Sequence, residues 1–437
     1  MRKRLNCFSL FLIIIALSFF SGSEKAGSPP ILLDKTEISD GNNDVAQVVE
    51  NMIKENESAK GSDAVAPDAN ASDTNKTNTD KTNSPNNSNQ NASRPNSAET
   101  GTVTFRLSEM SLEEKVKQML IPCCSDINTA RSAAKFGVGG VCLFAGVFQN
   151  QNATGVRAQM NGLQEAAQIP LFIGVDEEGG TVCRVSSNPL LRPTRFLSPS
   201  ALYAQGSWGL IESDTREKAQ LLLGLGINFN FAPVCDVPLS AQNYIYPRCF
   251  STDANLTSQY VNLVVRVMKE QGIGSSLKHF PGYGGNSDTH AGIAYDYRSR
   301  DEFKQSDFLP FASGILAGAS SVMVSHNIVT CMDSNLPASL SPEVHRILRE
   351  EFSFDGVIMS DDLNMQAITQ FTGGNDAAVQ AILAGNDIIL CGTSFERSTA
   401  AIVTAVENGT ISQAQIDASV LRILHLKEQL NLNIRVE

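Results

Sequence analysis

From residue 103 onward, eight short and uninterrupted apolar runs alternate with segments of helical periodicity. A continuous apolar run of this kind is typical of a strand that is buried on both faces, as in a parallel sheet covered by helices. Eight such units in succession predict a single (β/α)8 barrel over residues 103–437. The runs are Gln118–Pro122, Val138–Phe144, Pro170–Asp176, Ile227–Val237, Ser275–Phe280, Ser321–His326, Gly356–Asp361 and Asp387–Cys391.

The segments between the runs favour a TIM-type barrel over an open α/β sheet. Ser111 and Glu114 form a capping-box signal at the start of the first helix. An open, doubly wound sheet is the alternative, but no Gly-x-Gly-x-x-Gly follows the first run. The main predicted helices are Thr154–Gln168, Ser213–Leu225, Thr257–Gln271, Asp307–Ala317, Ser341–Phe352, Ser394–Asn408 and Ile411–Leu430.

The first 102 residues are predicted to lie outside the barrel. Three basic residues, an apolar stretch at 8–20 and small residues at 21–23 describe a signal peptide over residues 1–23, with an uncleaved anchor as the alternative. Residues 24–102 contain no aromatic side chain, and nine Asn fall within 61–100. Such a segment buries too little apolar surface to fold, so we expect a disordered linker. The protein is therefore expected to be exported, with possible tethering to the cell wall or membrane through this terminus.

Charge and cysteine content exclude some classes of function. The 46 acidic residues outnumber the 34 basic ones, a formal charge of −12, which argues against nucleic-acid binding. No Cys-x-x-Cys or Cys/His spacing indicates a metal site. Free thiols are expected for most of the nine cysteines, because five lie in or beside apolar runs, where Cys behaves as a small buried apolar residue: Cys142, Cys183, Cys235, Cys331 and Cys391.

Polar side chains are concentrated where the predicted strands end. In a (β/α)8 barrel, the functional groups lie at the carboxyl ends of the strands, so these side chains are expected to share one rim. Three of the five His belong to the set. The strand-end residues are Asp176, Glu177, Glu178, Arg184, Asp236, Arg248, Lys278, His279, Asp288, His290, His326, Asp361, Asp362 and Asp387.

Several of these residues allow more than one interpretation. Asp361 is a candidate nucleophile or a helix cap. Asp288 lies two residues from His290 and can hydrogen-bond the imidazole, in a Gly-rich loop that is either a hinge or a solvated turn. Lys278 is either a Schiff-base lysine or a donor to substrate hydroxyls, and His326 is either a ligand contact or a buried structural residue. A carboxylate, an imidazole and hydroxyl-binding groups suit glycoside hydrolysis through a covalent intermediate.

Seven segments, in one order along the barrel, resemble glycoside hydrolase family 3, and within it the bacterial β-N-acetylglucosaminidases. They are DEEGGTVCR (176–184), NFAPVCDV (230–237), NYIYPRCF (243–250), KHFPGYGGNSDTH (278–290), VMVSHN (322–327), PASLSP (337–342) and VIMSDDLNM (357–365). The resemblance implies a retaining exo-β-N-acetylglucosaminidase that needs no cofactor. Its expected substrates are GlcNAc-containing glycans, such as peptidoglycan fragments or chito-oligosaccharides.

The resemblance also assigns roles to individual residues. It implies that Asp361 is the nucleophile and that His290, supported by Asp288, is the general acid/base. The residues that it assigns to sugar binding are Asp176, Arg184, Arg248, Lys278 and His279.

The same resemblance leaves rival functions open. In many family members a second domain supplies the acid/base, whereas here we expect the Asp-x-His loop to supply it, as in the N-acetylglucosaminidase branch. Tyr283, Gly285 and Thr181 replace the family's usual His, Asp and Arg. The alternatives are a family 3 β-glucosidase or β-xylosidase, and a sugar-binding homologue that has lost catalysis.

Overall fold

The computed structural model of the protein describes residues 103–373 and 377–437; the predicted signal segment (1–23) and linker (24–102) lie outside them. Its centre is an eight-stranded parallel sheet in which each strand pairs with its neighbours in chain order. The strands are β1 (Leu120–Cys124), β2 (Gly140–Leu143), β3 (Phe172–Val175), β4 (Phe229–Asn230), β5 (Gly274–Phe280), β6 (Ser321–Val324), β7 (Val357–Ser360) and β8 (Ile389–Cys391).

The sheet curls into a nearly closed barrel. A single bridge, between Met359 and Ile388, joins β7 to β8. Beside it, the Ser360 N–H donates to the Ile388 carbonyl over 3.0 Å. The predicted parallel eight-stranded α/β barrel is therefore confirmed in its architecture.

Two strands differ from the prediction. The fourth run, Ile227–Val237, pairs over only two residues in β4, because Pro233 has no N–H to donate to the ladder; a bridge between Val234 and Lys278 follows. Asp387 was wrongly expected at the carboxyl end of the eighth strand. It precedes β8 and therefore lies at the opposite end of the barrel from the predicted site.

Helices in the described part of the chain pack around the strands. Ser111 caps the first of them in the predicted capping box with Glu114. The fourth is broken at Gly206 and Ser207. They are α1 (Leu112–Gln118), α2 (Ile127–Phe136), α3 (Ala153–Ala166), α4 (Pro199–Gly224), α5 (Ala254–Gln271), α6 (Arg300–Gln305), α7 (Phe308–Leu316), α8 (Pro342–Arg346), α9 (Gln366–Phe371), α10 (Ala378–Ala384), α11 (Phe395–Glu407) and α12 (Gln413–Gln429).

The core lies between the strands and the helices that cover them. All seven residues of β5 are buried, as expected for a strand covered on both faces. The chain ends of the barrel domain meet where Val103–Phe105 pairs in parallel with Ile434–Val436. Across residues 103–373 and 377–437, no helix combines the length and apolarity needed to span a bilayer.

None of the eight cysteines of the described chain forms a disulfide. Six of them are buried and Cys123 is partly exposed. Cys331, which was expected to be buried beside an apolar strand, is instead exposed, because β6 ends at Val324 and the chain has left the barrel wall by residue 331.

Candidate active site

A cavity of about 820 Å³ opens at the carboxyl ends of the barrel strands. Its size is typical of a site for a small ligand. Seven of the eight predicted site residues line it, and the eighth, Asp288, contacts the cavity residue His290. The seven are Asp176, Arg184, Arg248, Lys278, His279, His290 and Asp361.

One side of the cavity is a network of alternating charges. The Lys278 ammonium, from β5, lies 2.7 Å from Asp176 Oδ1 and 2.6 Å from Glu178 Oε1. Arg248 donates to both oxygens of Glu178, over 3.0 and 2.8 Å. Arg184 extends the network, with its Nη2 atom 3.3 Å from Asp176 Oδ2. We call these five residues the charged network.

His279 joins this network to the centre of the barrel. Its Nε2 atom lies 3.2 Å from Arg248 Nη2, and its Nδ1 atom lies 2.7 Å from Asp236 Oδ2. Because a guanidinium only donates, Nε2 accepts and Nδ1 carries the proton that is donated to Asp236. The other oxygen of the buried Asp236 accepts the Tyr283 N–H over 2.8 Å. One carboxylate therefore fixes both the imidazole and the start of the next loop.

Counter-ions in the charged network keep Glu178 and Lys278 charged despite their burial. Burial opposes ionisation of Glu178, but Arg248 and Lys278 hold the pKa of this carboxyl well below its usual range. Burial likewise disfavours the Lys278 ammonium, but Asp176 and Glu178 raise its pKa above the ordinary value. The result is a rigid set of charged donors and acceptors, suited to the hydroxyl groups of a polar ligand.

Asp361 follows β7 and is half-buried in the cavity wall. Its N–H donates to the Val324 carbonyl over 2.9 Å, and its Oδ1 atom accepts the Asp362 N–H over 2.8 Å. Burial would raise the pKa of Asp361, but His326, His279 and this N–H outweigh it and lower the pKa. The carboxylate is therefore ionised at neutral pH, as a nucleophile must be.

His326 is a structural residue. Its Nδ1 atom lies 2.7 Å from Ser339 Oγ, and its Nε2 atom lies 3.0 Å from the Asp362 carbonyl. Burial lowers the pKa of this imidazole, so it is neutral. Both ring nitrogens are used within the protein, so His326 holds the chain beside Asp361 rather than contacting a ligand.

The predicted acid/base pair, Asp288 and His290, lies in the loop that follows β5. Asp288 Oδ1 accepts the His290 N–H over 3.0 Å and lies 2.8 Å from His290 Nδ1. The side chains of His290 and Asp288 are 65% and 40% exposed. His290 Nε2 has no partner among the described residues, so a ligand in the cavity can use this atom.

Glu178 and Asp236 are among the predicted strand-end residues, but the sequence assigns neither of them a role. The structure makes them the central acceptors of the charged network and of His279. In the sequence, both residues can be found from their positions at the carboxyl ends of the third and fourth predicted strands. In the described part of the chain, no three His, Cys, Asp or Glu side chains are grouped to hold a metal ion.

The sequence of the barrel also matches a known protein family. Residues 111–426 match the model of the glycosyl hydrolase family 3 N terminal domain. The chain belongs to glycosyl hydrolase family 3. It is 32% identical over 327 residues to beta-hexosaminidase A of Pseudoalteromonas piscicida, a match that covers 68% of this chain and 54% of that protein.

Further relatives of this family 3 chain bear similar names. It is 38% identical over 261 residues to a beta-hexosaminidase of Stenotrophomonas maltophilia, over 58% of this chain and 76% of that protein. Among solved structures, a glycoside hydrolase family 3 beta-N-acetylglucosaminidase from Paenibacillus superposes with a TM-score of 0.69 at 32% identity, covering 74% of this chain and 63% of that one. The chain thus spans just over half of one such relative and three quarters of another.

The three departures from the usual family 3 pattern lie in different surroundings. Thr181 and Gly285 are exposed. Tyr283 is buried, and its ring packs edge-on against His279 with centroids 5.1 Å apart. Of the three, Tyr283 alone therefore has the contacts to affect how the site is organised.

Proposed function

We propose that the protein is an exo-acting, retaining β-N-acetylglucosaminidase that removes terminal non-reducing GlcNAc. The observation that carries the proposal is that one cavity is lined by an ionised carboxylate, Asp361, and by an imidazole, His290, with a charged network beside them. The beta-hexosaminidase names of relatives at 32% and 38% identity support the choice of an N-acetylated sugar.

In the first step, the sugar binds with its hydroxyl groups against the charged network. Asp361 attacks the anomeric carbon as the glycosidic bond breaks, and His290, protonated and held by Asp288, donates its proton to the leaving oxygen. The aglycone alcohol departs, and the sugar remains on Asp361 as a glycosyl ester.

In the second step, neutral His290 takes a proton from a water molecule, which attacks the anomeric carbon and breaks the ester. The product keeps the β configuration, and Asp361 and protonated His290 are regenerated. Lys278 does not serve as a Schiff-base amine in this scheme, because two carboxylates hold it as a cation.

The cellular setting is part of the proposal. An N-terminal signal segment and the Asn-rich linker support export, with the barrel held at or released from the cell surface. The substrates there would be peptidoglycan fragments or chito-oligosaccharides. Hydrolysis of chitobiose and of a defined muropeptide by the full chain tests both classes directly.

The decisive experiment compares an aryl GlcNAc glycoside with the matching aryl glucoside. We expect the wild-type protein to prefer the former, to release the β anomer first by NMR, and to lose turnover in Asp361→Ala. Asp253→Asn, which alters a carboxylate that caps α5, is the matched control. Preference for the glucoside would favour the β-glucosidase alternative, whereas saturable sugar binding with no turnover would favour the binding protein.

A further inference from the structure

Asp288, Thr289 and His290 form a compact unit at the tip of the loop after β5. Asp288 binds both the backbone N–H and the ring of His290, so these two residues cannot move independently. Of the three, only Thr289 is buried, and it is fully so. The position of the exposed acid/base pair is therefore set by the contacts of the residue between them.

Thr289 is held from two sides. Its hydroxyl lies 2.5 Å from the Tyr283 hydroxyl, and its carbonyl accepts the Ala367 N–H over 3.1 Å. Ala367 lies in α9, six residues after Asp361. One contact therefore fixes the unit to the end of β5, and the other fixes it to the segment that follows the carboxylate.

Tyr283 is itself firmly placed. Its N–H donates to Asp236, the carboxylate that also binds His279. Its ring lies edge-on to His279 and to Tyr244, with centroids 5.1 and 5.4 Å away. Burial raises the pKa of the Tyr283 hydroxyl, so this hydroxyl stays protonated at all pH values of interest.

We propose that Tyr283 is a positioning residue that sets the acid/base pair against the leaving group by holding Thr289. The inference rests on the proposed function and assigns a purpose to the buried departure from the family pattern. Tyr283 touches neither the reacting atoms nor His290 in this scheme; it acts through Thr289. It also connects the pair to Asp236, the residue that orients His279.

The test uses leaving groups that differ in their need for a proton. We expect Tyr283→Phe, which keeps the ring and removes the hydroxyl, to lower kcat/KM for chitobiose by about 10- to 100-fold, part of the roughly 10²–10⁴-fold that a general acid supplies. With 2,4-dinitrophenyl GlcNAc, whose leaving group needs no proton, kcat/KM should stay within about 3-fold of wild type. Thr289→Val should reproduce the same pattern.

Tyr260→Phe is the matched control, since Tyr260 is also a buried tyrosine but stacks on Phe250 away from the loop. It should leave the ratio of the two kcat/KM values unchanged. The double variant Tyr283→Phe/Thr289→Val should lose no more kcat/KM for chitobiose than either single variant, because each single variant already removes the same hydrogen bond between the two hydroxyls.

Each outcome decides a different point. Equal losses on both substrates in Tyr283→Phe, or losses that add in the double variant, would overturn the positioning role. If Tyr283→Phe does not fold, Thr289→Val still reports the substrate ratio, and an unchanged ratio rejects the role. A wild-type protein that hydrolyses neither GlcNAc glycoside would instead reject the proposed function.

Discussion

The charged network and the Asp288–His290 pair differ in how deeply they are buried. In the charged network, Lys278 and Glu178 are each 2% exposed and every ion faces a counter-ion within 3.3 Å. In the loop after β5, the side chains of Asp288 and His290 are 40% and 65% exposed. The charged network is part of the barrel core, whereas the Asp288–His290 pair is attached to it through Thr289.

This difference separates stability from catalysis. Buried ions that lose a partner destabilise the fold, so the charged network is tied to folding as well as to the sugar binding that we propose. An exposed pair on a loop adds little to stability, even when one buried residue fixes its position. We therefore expect substitutions in the charged network and in the pair to have different signatures.

Replacing Lys278 should give the largest combined effect. Lys278→Met leaves Asp176 and Glu178 with one cation fewer in a buried site, so we expect a loss of about 3–5 kcal/mol in the free energy of unfolding. Hydrolysis should also be lost, because the sugar-binding donors are disrupted. Urea unfolding followed by circular dichroism measures the first effect.

Lys117→Met provides the control, because Lys117 is only partly buried and its carboxylate partner on α1, Glu113, is 59% exposed. Its cost should be within about 1 kcal/mol. If Lys278→Met lowered the free energy of unfolding no more than this control, the charged network would not stabilise the barrel core.

Replacing His290 should affect activity alone. We expect His290→Ala to lower kcat/KM for chitobiose by about 10²–10⁴-fold, the usual contribution of a general acid. Because the side chain is exposed, the free energy of unfolding should change by less than about 0.5 kcal/mol. A stability loss similar to that of Lys278→Met would remove the distinction between the charged network and the pair.

The barrel was predictable because strands buried on both faces leave continuous apolar runs in the sequence. The rim was predictable for a related reason: the chain direction fixes which end of each run faces the site. Asp387 was wrongly placed at this rim, because it begins its run and does not end it. It instead accepts hydrogen bonds from Arg422 over 2.9 Å and from Ser419 over 2.8 Å at the amino ends of the strands.

The sequence could not predict which side chains of the site pair with one another. Glu178 meets Arg248, 70 residues away, and Asp236 meets His279, 43 residues away. Such partners are chosen by the closure of the barrel, and a carboxylate after a strand carries no local sign of which cation or imidazole it will meet. The anchoring of Thr289 by Tyr283 is of the same kind, since a Tyr in place of His does not indicate its contact.

At the other end of the barrel, Lys427 of α12 is fully buried, and no carboxylate of the described residues pairs with it as Asp176 and Glu178 pair with Lys278. Its ammonium lies 2.7 Å from Gln118 Oε1 and 5.1 Å from the centre of the Phe172 ring. Burial lowers the pKa of Lys427 to about 7, whereas that of Lys278 is raised. Above pH 7 the two buried lysines are therefore expected to differ in charge, because within the described part of the chain only Lys278 has counter-ions.

The lowered pKa of Lys427 determines the direction in which the stability of the protein changes with pH. Between pH 7 and about 10.4, the ordinary pKa of lysine, the unfolded chain binds a proton at Lys427 that the folded chain does not. This site should therefore make the protein more stable as pH rises through that window, by up to about 1.4 kcal/mol per unit. Lys427→Met removes the titrating group, so the wild type minus variant difference in unfolding free energy should grow with pH. A difference that stays flat from pH 7 to pH 10 would mean that Lys427 is charged in the fold, and that burial alone does not distinguish the two lysines.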